Sequence, residues 1–460
     1  MGSAIAAALW LGLAPPFIKP PSLPEGMAPE APQRCVGIFL ICASLWLTNL
    51  IPPAATGLLA LVLLPALDVL PEKQAFGLFG NSAMFFLLGV FLLAGAMIST
   101  GLSKRVTLLA LHRFDRSPAR LVAGVTVSAA CLSLMMPEHA VAAMIYPIVV
   151  EIVETLKLPQ GSRYAKKLFL GLAWGAVIGG VGTFLGGARA PLALSLLREA
   201  HPEKNISFVR WMIAAMPIVV IMTGVALLTL RFVRNDIENI RPATRMLDER
   251  VRLLGPMSGR ERRLALLGVL TIIAWVTMGH HVGLALIAMS SGTLLFVMRV
   301  VDWRGVQDYV NWGVLIMYGG AVALGAAVSE TRAMEWLARE LVGATVHPLS
   351  VVIVMATASI ILTEIISNSA AVAILLPIGF SLGDMIGVGP VMTTLAITVP
   401  AGLAFCMPVS SPPNAISFSA GHYSVREAVQ LGFPMTLSAL LVTILVIVVW
   451  WNGFLNVGAW

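Results

Sequence analysis

Charge is scarce in this sequence. Only 12% of the 460 residues are Asp, Glu, Lys or Arg, about half of the share that is usual in water-soluble domains. Hydrophobic residues, by contrast, make up 58% of the chain. So little charge on so apolar a chain excludes a water-soluble fold, and we predict a protein that lies in a lipid bilayer.

Cysteine is also scarce, with 4 residues in the chain. Cys35, Cys42, Cys131 and Cys406 lie in or beside apolar runs, and none of them has the spacing of a metal site. We therefore predict that they are unpaired core residues. The H-E-x-x-H pattern of a metal-dependent hydrolase is missing, and no nucleophile stands with a base and an orienting group, so we predict that the protein is not an enzyme.

Apolar runs recur along the chain at lengths that, with their flanks, approach the ~20 residues of a membrane-spanning helix. The short alternating segments that are typical of membrane barrels are missing. The first apolar stretch, Ala4–Leu13, lacks the basic region of a signal peptide, and we predict that it is a retained helix. The fold class is therefore an all-α, multi-pass protein of the cell (inner) membrane. The other runs are Val36–Leu50, Met84–Ile98, Trp211–Leu230, Leu264–Met278, Gly283–Val297 and Ala439–Trp451.

The positive charges lie mostly between the apolar runs. The chain has 30 Lys and Arg against 23 Asp and Glu, a net charge of +7. We interpret the basic clusters as orientation signals that face the cytoplasm, and we predict no nucleic-acid partner. Segment 231–263 is especially rich in Arg, and we predict that it is a cytoplasmic loop that divides the chain into halves.

Three polar residues in a row, Ser367, Asn368 and Ser369, interrupt an apolar stretch in the second half of the chain. Unsatisfied polar groups are costly in hydrocarbon. We therefore predict a re-entrant helical hairpin whose tip holds a ligand at a helix N-terminus. An earlier stretch, Leu121–Glu154, has the same layout, with Glu138 and His139 at its tip. For this earlier stretch we predict two half-depth arms that meet at the tip.

Each hairpin is followed by an apolar helix that Gly or Pro residues interrupt. The first interruption reads GAVIGGVGTFLGGARAP and contains Arg189, and the second reads FCMPVSSPPNAISFSAGH. Breaks of this kind predict unwound helices whose free backbone groups point into a site. Glu364, the one charged residue between Thr363 and Pro377, is expected to satisfy backbone groups of the second hairpin.

The second half of the chain repeats the first. Thr100 and Thr331 end similar apolar runs, and Pro137 and Ser367 begin the two tips, at offsets of about 230 residues. A basic stretch follows the first copy, whereas RAMEWLARELVG, after the second copy, has as many acids as bases. We therefore predict two repeats of inverted topology, each with one hairpin and one broken helix.

These motifs resemble the divalent anion:sodium symporter family, whose members carry dicarboxylates, citrate and sulfate. The similarity covers nearly the whole chain and is most specific in the SNSAAVAILLP tip and the PVSSPPNAI break. It implies a scaffold and a transport domain that moves as an elevator, in a homodimer. It also implies a Na⁺ site formed by Thr363, Ser367, Asn368 and Ser410, and a site for a small anion to which Ser367, Asn368, Ser369, Ser411 and Pro412 contribute.

The first half departs from the family pattern. Glu138 and His139 stand where the family has a Ser-Asn-Thr tip, and Arg189 lies where it has Thr-Pro-Pro-Asn, so the family's first Na⁺ site does not carry over. We hypothesise that Arg189 is a tethered cation that replaces this ion and pairs with Glu138 or with the anion. Two alternatives stay open: a permanent pair that braces the tip, and a proton carrier at Glu138 or His139. All three residues are candidate substrate-binding residues.

The predicted function is secondary active transport of a small divalent anion by alternating access, coupled to Na⁺ at one retained site, to H⁺, or to both, with no organic cofactor. The alternatives are a cation/proton antiporter or arsenite-type carrier of the same wider fold group, an uncoupled anion exchanger, and a channel, although paired hairpins favour a carrier over a pore.

The predicted parts of the chain are residues 1–102 (N-terminal helices, mostly scaffold), 103–200 (first-repeat transport elements), 201–343 (linking helices and second-repeat scaffold), 344–422 (second-repeat transport elements) and 423–460 (C-terminal transmembrane helix).

Overall fold

The computed structural model of the protein describes residues 18, 23, 27–114, 116–233, 235–237, 239–334 and 347–460. The predicted helix Ala4–Leu13 and most of the stretch RAMEWLARELVG lie outside these residues. Every regular element within them is helical, which confirms the prediction of an all-α chain. In the described part, seven helices are long and apolar enough to cross a membrane, namely Ala31–Thr48, Glu72–Ser99, Phe208–Phe232, Trp312–Thr331, Pro348–Ile365, Asn368–Ile386 and Val425–Phe454.

The helices fall into a first half, a connecting middle part and a second half. The described helices of the first half are α1 (Ala31–Thr48), α2 (Pro53–Ala66), α3 (Glu72–Phe79), α4 (Ser82–Ser99), α5 (Leu102–His112), α6 (Pro118–Ser133), α7 (Glu138–Thr155), α8 (Arg163–Val181), α9 (Arg189–Ala200) and α10 (Phe208–Phe232). The middle part contains α11 (Arg241–Leu253), α12 (Gly259–Thr277), α13 (Leu284–Val297) and α14 (Trp303–Val306). The second half contains α15 (Trp312–Thr331), α16 (Pro348–Ile365), α17 (Asn368–Ile386), α18 (Pro390–Thr398), α19 (Pro412–Phe418) and α20 (Val425–Leu445), which continues as a π-helix over Val446–Phe454.

The first hairpin consists of α6 and α7, with its tip at residues 134–137, and the first helix break lies at residues 182–188, between α8 and α9. Both were predicted at these places. The tip is tied to the break by two hydrogen bonds. The Glu138 N–H donates to the Gly186 carbonyl (2.8 Å), and the Thr183 hydroxyl donates to the Leu134 carbonyl (2.8 Å). Two non-helical segments thus satisfy each other's backbone groups.

The second hairpin consists of α16 and α17, and the second break lies between α18 and α19, with short 3₁₀ turns at Pro400–Gly402 and Pro408–Ser410. The arms of this hairpin have 18 and 19 residues, which corresponds to about 27 Å at 1.5 Å per residue. The first hairpin, for which we predicted half-depth arms, has arms of 16 and 18 residues. These arms are also longer than half of a hydrocarbon core that is about 30 Å thick. The depth of the tip stays a prediction.

Helix starts in the two halves keep a constant spacing. Asn81 caps α4 and Asn311 caps α15 with the side-chain oxygen, and α6 and α16 begin at Pro118 and Pro348. The separation is 230 residues in both cases, as it is between the first residues of α7 and α17. This spacing supports the predicted internal repeat, whereas the opposite orientation of the halves in a membrane stays a prediction.

Segment 231–263 is not a continuous loop, so the prediction for this segment was wrong in part. It contains α11 and the first residues of α12. The apolar residues Ala243 and Leu247 lie one turn apart and are buried, whereas Arg241, Arg245 and Arg250 are exposed. A helix with one narrow apolar face lies on the surface of the protein, and the many charges of this segment hid that face in the sequence.

The four cysteines are free, but only Cys35 and Cys42 are buried. Cys131 is exposed and Cys406 is half-buried, so the prediction of core residues was wrong for Cys131. The reason is the orientation of α6, which packs against α8 through the neighbouring Ala129 and Ala130. Cys131 therefore lies on the outer face of the helix.

Helix α8 approaches α6 very closely through its glycines. A Cβ atom built on Gly175 would lie 2.2 Å from the Thr126 carbonyl oxygen, and one built on Gly179 would lie 2.0 Å from the Ala130 carbonyl oxygen. Both neighbours are backbone atoms of a helix, which cannot move away at low cost. This contact fixes the first arm of the hairpin against the helix that leads into the first break.

We expect Gly179→Ala to lower the thermal stability of the purified protein in detergent, by about 1–3 kcal/mol of unfolding free energy, because the added methyl overlaps the α6 backbone. Gly224→Ala, in α10, is the matched control, since nothing lies within 4 Å of a Cβ at that position. There, alanine is expected to raise stability slightly through its higher helix propensity. Equal melting temperatures for the two variants would contradict the close packing.

Candidate functional site

A cavity of about 310 Å³ lies where the two hairpin tips meet the breaks. Its wall comes from the first turns of α7, α9 and α17, and from the starts of α2 and α15. Most of the predicted substrate-binding residues therefore face one space. The lining residues include Pro52, Pro53, Phe91, Glu138, His139, Arg189, Asn311, Val314, Met317, Ser367, Asn368, Ser369 and Pro412.

A buried ion pair occupies the first tip. The Arg189 Nη1 donates to both carboxylate oxygens of Glu138, at 3.4 and 3.2 Å. The two residues are only 2% and 6% exposed. Glu138 is also the first residue of α7, where a negative charge is favoured by the helix dipole. The pair that the sequence suggested is thus formed, and removal of one partner would leave an uncompensated buried charge.

Two glycines make room for the Arg189 side chain. A Cβ atom on Gly187 would lie 2.4 Å from Nη1, and one on Gly402 would lie 2.3 Å from Nη2. Gly187 belongs to the first break and Gly402 to the second, so the guanidinium lies between the two broken helices. Its Nη2 is buried and has no hydrogen-bond partner among the described residues.

Asn368 joins the first tip to the second. With its amide nitrogen facing the Ala401 carbonyl (3.1 Å), the Ser410 carbonyl (3.2 Å) and the Thr363 hydroxyl (2.6 Å), its oxygen accepts from Arg189 Nη1 at 3.3 Å. This orientation satisfies both ends of the amide. The Thr363 hydroxyl in turn donates to the Ala401 carbonyl at 2.7 Å.

The second break adds further oxygens to this cluster. The Asn414 side-chain nitrogen donates to the Ala404 carbonyl (3.0 Å) and to the Ser410 hydroxyl (3.1 Å). Ser410 is fully buried. The neighbouring Ser411 is also buried, and its hydroxyl has no hydrogen-bond partner within the described part of the chain.

The oxygens around Asn368 suit a monovalent cation such as Na⁺. They are hydroxyl and backbone carbonyl oxygens, which are hard ligands, and a half-turn of the Asn368 amide would bring its oxygen from Arg189 to the Thr363 hydroxyl and add it to the group. The group includes no carboxylate that would favour a divalent ion. Of the four residues predicted for Na⁺, the structure brings Thr363, Asn368 and Ser410 together. Ser367 instead caps α17, where its hydroxyl accepts from the Ala370 N–H at 3.4 Å.

The other predicted residues lie around the cavity. The His139 ring is half-buried and meets the edge of Phe91, with 6.0 Å between ring centroids. The Ser369 hydroxyl lies 3.4 Å from the hydroxyl of Tyr318. Pro412 lines the cavity, whereas Ser411 does not.

Sequence reasoning missed several residues of this site. Met317 and Tyr318 come from the second turn of α15, a helix that carries no local signal of function. Asn311 is the cap of the same helix, and its 230-residue spacing from Asn81 is a signal that could have been used. Ser133, whose buried hydroxyl has no partner among the described residues, occupies in the first half the position of Thr363 in the second.

A larger cavity of about 740 Å³ adjoins the site. It shares Phe91, His139 and Asn311 with the smaller one. Its wall also includes Glu151 and Arg250, which form an ion pair between α7 and α11. The site is therefore reached from the face of the protein that carries the Arg-rich middle segment.

Glu364 has different partners from those that we predicted. Its carboxylate accepts from backbone N–H groups of the second break, not from groups of the hairpin. The expectation that Glu364 satisfies backbone groups is confirmed. The prediction that these groups belong to the hairpin was wrong, because they belong to the second break. The reason is that residues 403–407, where the chain is unwound, present free N–H groups beside α16.

Comparison with known proteins agrees with this architecture. The family model described as "Sodium:sulfate symporter transmembrane region" matches residues 11–457. The sodium-dependent dicarboxylate transporter SdcS of Staphylococcus aureus is 31% identical, over 94% of this chain and 87% of the relative.

Two solved structures share the fold. The YdaH transporter of Alcanivorax borkumensis superposes with a TM-score of 0.60 at 18% identity, over 88% of this chain and 99% of its own. MtrF of Neisseria gonorrhoeae, an antimetabolite efflux pump, superposes with a TM-score of 0.56 at 11% identity, over 97% of both chains. The family match extends over nearly the entire sequence and confirms the resemblance seen in its motifs. The chain belongs to the sodium:sulfate symporter family.

Proposed function

We propose that the protein is a secondary active transporter that carries a small divalent anion, a dicarboxylate or a sulfate-like oxyanion, together with Na⁺. The observation that carries this proposal is the arrangement at the cavity. A buried guanidinium and the N-termini of α7 and α17 lie beside a cluster of uncharged oxygens. Positive groups suit an anion, and hard neutral oxygens suit Na⁺. The relative SdcS, named a sodium-dependent dicarboxylate transporter, supports the same assignment.

The anion binds in the cavity between the tips. Ser369 and Asn368 contribute polar groups at the N-terminus of α17, as does the Ser367 cap. Arg189 contributes positive charge, and His139 and Glu138 complete the first tip. Pro412 of the second break completes the wall of the cavity, whereas Ser411, which the sequence also suggested, does not line it.

Na⁺ binds at the second tip, behind Asn368. Thr363 and Ser410 hold it together with the carbonyl oxygens of the second break, and Asn368 joins them once its amide turns its oxygen from Arg189 toward Thr363. Ser367 supports the site as the cap of α17. At the first tip the guanidinium of Arg189 takes the place of a second ion. Transport of the anion is thus coupled to Na⁺ at one retained site, with protons as the alternative or additional coupling ion.

Alternating access requires one part of the chain to move against the other. We infer that residues 103–200 and 344–422 form the moving transport domain, and that residues 1–102 and 201–343 form the scaffold, with 423–460 as the C-terminal helix. The constant spacing of helix starts supports two repeats, which we propose to be inverted in the cell membrane. Elevator motion within a homodimer is the mechanism that best suits two hairpins of this kind.

The Na⁺ requirement of the purified protein in proteoliposomes tests the proposed function. We expect uptake of labelled succinate or sulfate to need an inward Na⁺ gradient, with a Hill coefficient near 1, because only one ion site is retained. A separate pH gradient identifies any contribution of protons. A Hill coefficient of two or more without an effect of pH would contradict the replacement of an ion by Arg189.

Thr363→Val tests the ion site itself. Loss of the hydroxyl is expected to raise the Na⁺ concentration for half-maximal uptake about tenfold, since one ligand of the ion is removed. Thr357→Val on the same helix is the matched control, because the Thr357 hydroxyl only donates to the Ile353 carbonyl of its own helix. If both variants respond alike, the site lies elsewhere.

A double variant separates function from bracing at the first tip. Arg189→Ala alone is expected to abolish transport and to destabilise the protein by about 3–5 kcal/mol, because it leaves Glu138 buried and unpaired. Arg189→Ala with Glu138→Gln removes both charges, so the melting temperature is expected to recover largely while uptake stays absent. Arg198→Ala, near the end of the same helix, is the control. Normal uptake by the double variant would leave the pair only a structural role.

A further inference from the structure

We propose that Glu364 is a positioning residue for Na⁺, which holds the backbone of the second break so that the Ala404 carbonyl orients Asn414 and, through it, the Ser410 hydroxyl of the ion site. The proposal rests on the Na⁺ site assigned above. Glu364 itself is not placed in contact with the ion. It acts through the peptide group that links Ala404 to Phe405.

The Glu364 carboxylate collects an unusual set of donors. One oxygen accepts from the Phe405 N–H at 3.0 Å, and the other from the N–H groups of Cys406 and Met407 at 3.0 and 3.3 Å. The Thr436 hydroxyl of α20 donates to the first oxygen as well. A charged side chain is costly in an apolar part of the protein, so full hydrogen bonding to the unwound segment explains how it is retained here.

The planar peptide transmits this contact to the ion site. In a trans peptide the C=O of one residue and the N–H of the next point in opposite directions. Because the Phe405 N–H points to Glu364, the Ala404 C=O must point away from it. On that opposite side it meets the Asn414 side chain at 3.0 Å, which also binds the hydroxyl of Ser410.

Neighbouring residues of α16 therefore hold both ends of the unwound segment. Thr363 binds the Ala401 carbonyl, and Glu364 binds the N–H groups of residues 405–407. A carboxylate has only acceptors, which matches a row of donors, whereas an amide presents a donor on one side. Replacement of the charge by an isosteric amide therefore sets an N–H₂ group against backbone N–H groups and releases the Ala404 peptide.

The test is the Na⁺ dependence of the Glu364→Gln variant in proteoliposomes, measured at saturating anion. We expect the Na⁺ concentration for half-maximal uptake to rise about tenfold or more, because charge-assisted hydrogen bonds are lost. At saturating Na⁺ the KM for the anion is expected to stay within about threefold of the wild-type value, since the anion site is not touched. A purely structural role would lower the amount of folded protein and leave the Na⁺ half-saturation unchanged.

Thr436 provides variants that keep the proposal testable if Glu364→Gln does not fold. Thr436→Val removes one donor from Glu364 and is expected to raise the Na⁺ half-saturation about two- to threefold, whereas Thr436→Ser keeps the hydroxyl and restores the wild-type value. Unchanged Na⁺ half-saturation in Glu364→Gln or Thr436→Val, or an equal rise in the KM for the anion, would overturn the positioning role.

The wild-type protein separates this inference from the proposed function. Uptake by the wild type that does not depend on Na⁺ would refute the proposed function itself. Na⁺-dependent uptake with the same half-saturation in the wild type and Glu364→Gln would refute only the role of Glu364. A second readout is the stabilisation of the detergent-purified protein by Na⁺ over K⁺ without anion, which is expected to require higher Na⁺ in the variant.

Discussion

The structure at the centre of this protein depends on finding hydrogen-bond partners for the free backbone groups of the two helix breaks. In an apolar surrounding, each N–H or C=O that a broken helix exposes needs a partner from the protein. The first break and the adjacent tip supply partners to each other, since the Glu138 N–H donates to the Gly186 carbonyl and the Thr183 hydroxyl donates to the Leu134 carbonyl. The second obtains them from side chains, Glu364 on one side and Asn414 on the other. The same problem is therefore solved by different groups in the two halves.

This difference extends to charge. The first tip contains a fixed pair of charges, whereas the oxygens around Asn368 are neutral. Under the proposed function, the Arg189 guanidinium contributes positive charge to anion binding. Because it is part of the chain, no ion gradient drives its movement across the membrane. Only an ion that dissociates on the other side contributes driving force, so the part of the anion accumulation that Na⁺ drives is set at the second tip.

Much of this fold follows from local features of the sequence. Apolar runs predicted the long helices, and the Gly and Pro clusters predicted the breaks between α8 and α9 and between α18 and α19. The polar triplet at Ser367 located the second tip, and the repeat located the first. Helix α11 was missed because Ala243 and Leu247 are its only buried residues, too few to stand out among many arginines.

Contacts between distant segments could not be predicted in the same way. Glu138 and Arg189 are 51 residues apart, and the sequence left open whether they pair with each other or with the anion. Tyr318 reaches the second tip from α15, a helix whose pattern indicates only packing. The partners of Glu364 were assigned to the wrong segment because local sequence does not reveal which unwound stretch lies beside a side chain.

The close approach of Arg189 to Gly187 and Gly402 has a consequence for the geometry of the whole site. A Cβ atom on Gly187 or Gly402 would lie 2.4 or 2.3 Å from the guanidinium, so the flexible Arg189 side chain would have to shift. Because the same guanidinium contacts Glu138 and Asn368, such a shift would change the contacts of both tips. A side chain at position 402, in the second break, would therefore also alter the first tip.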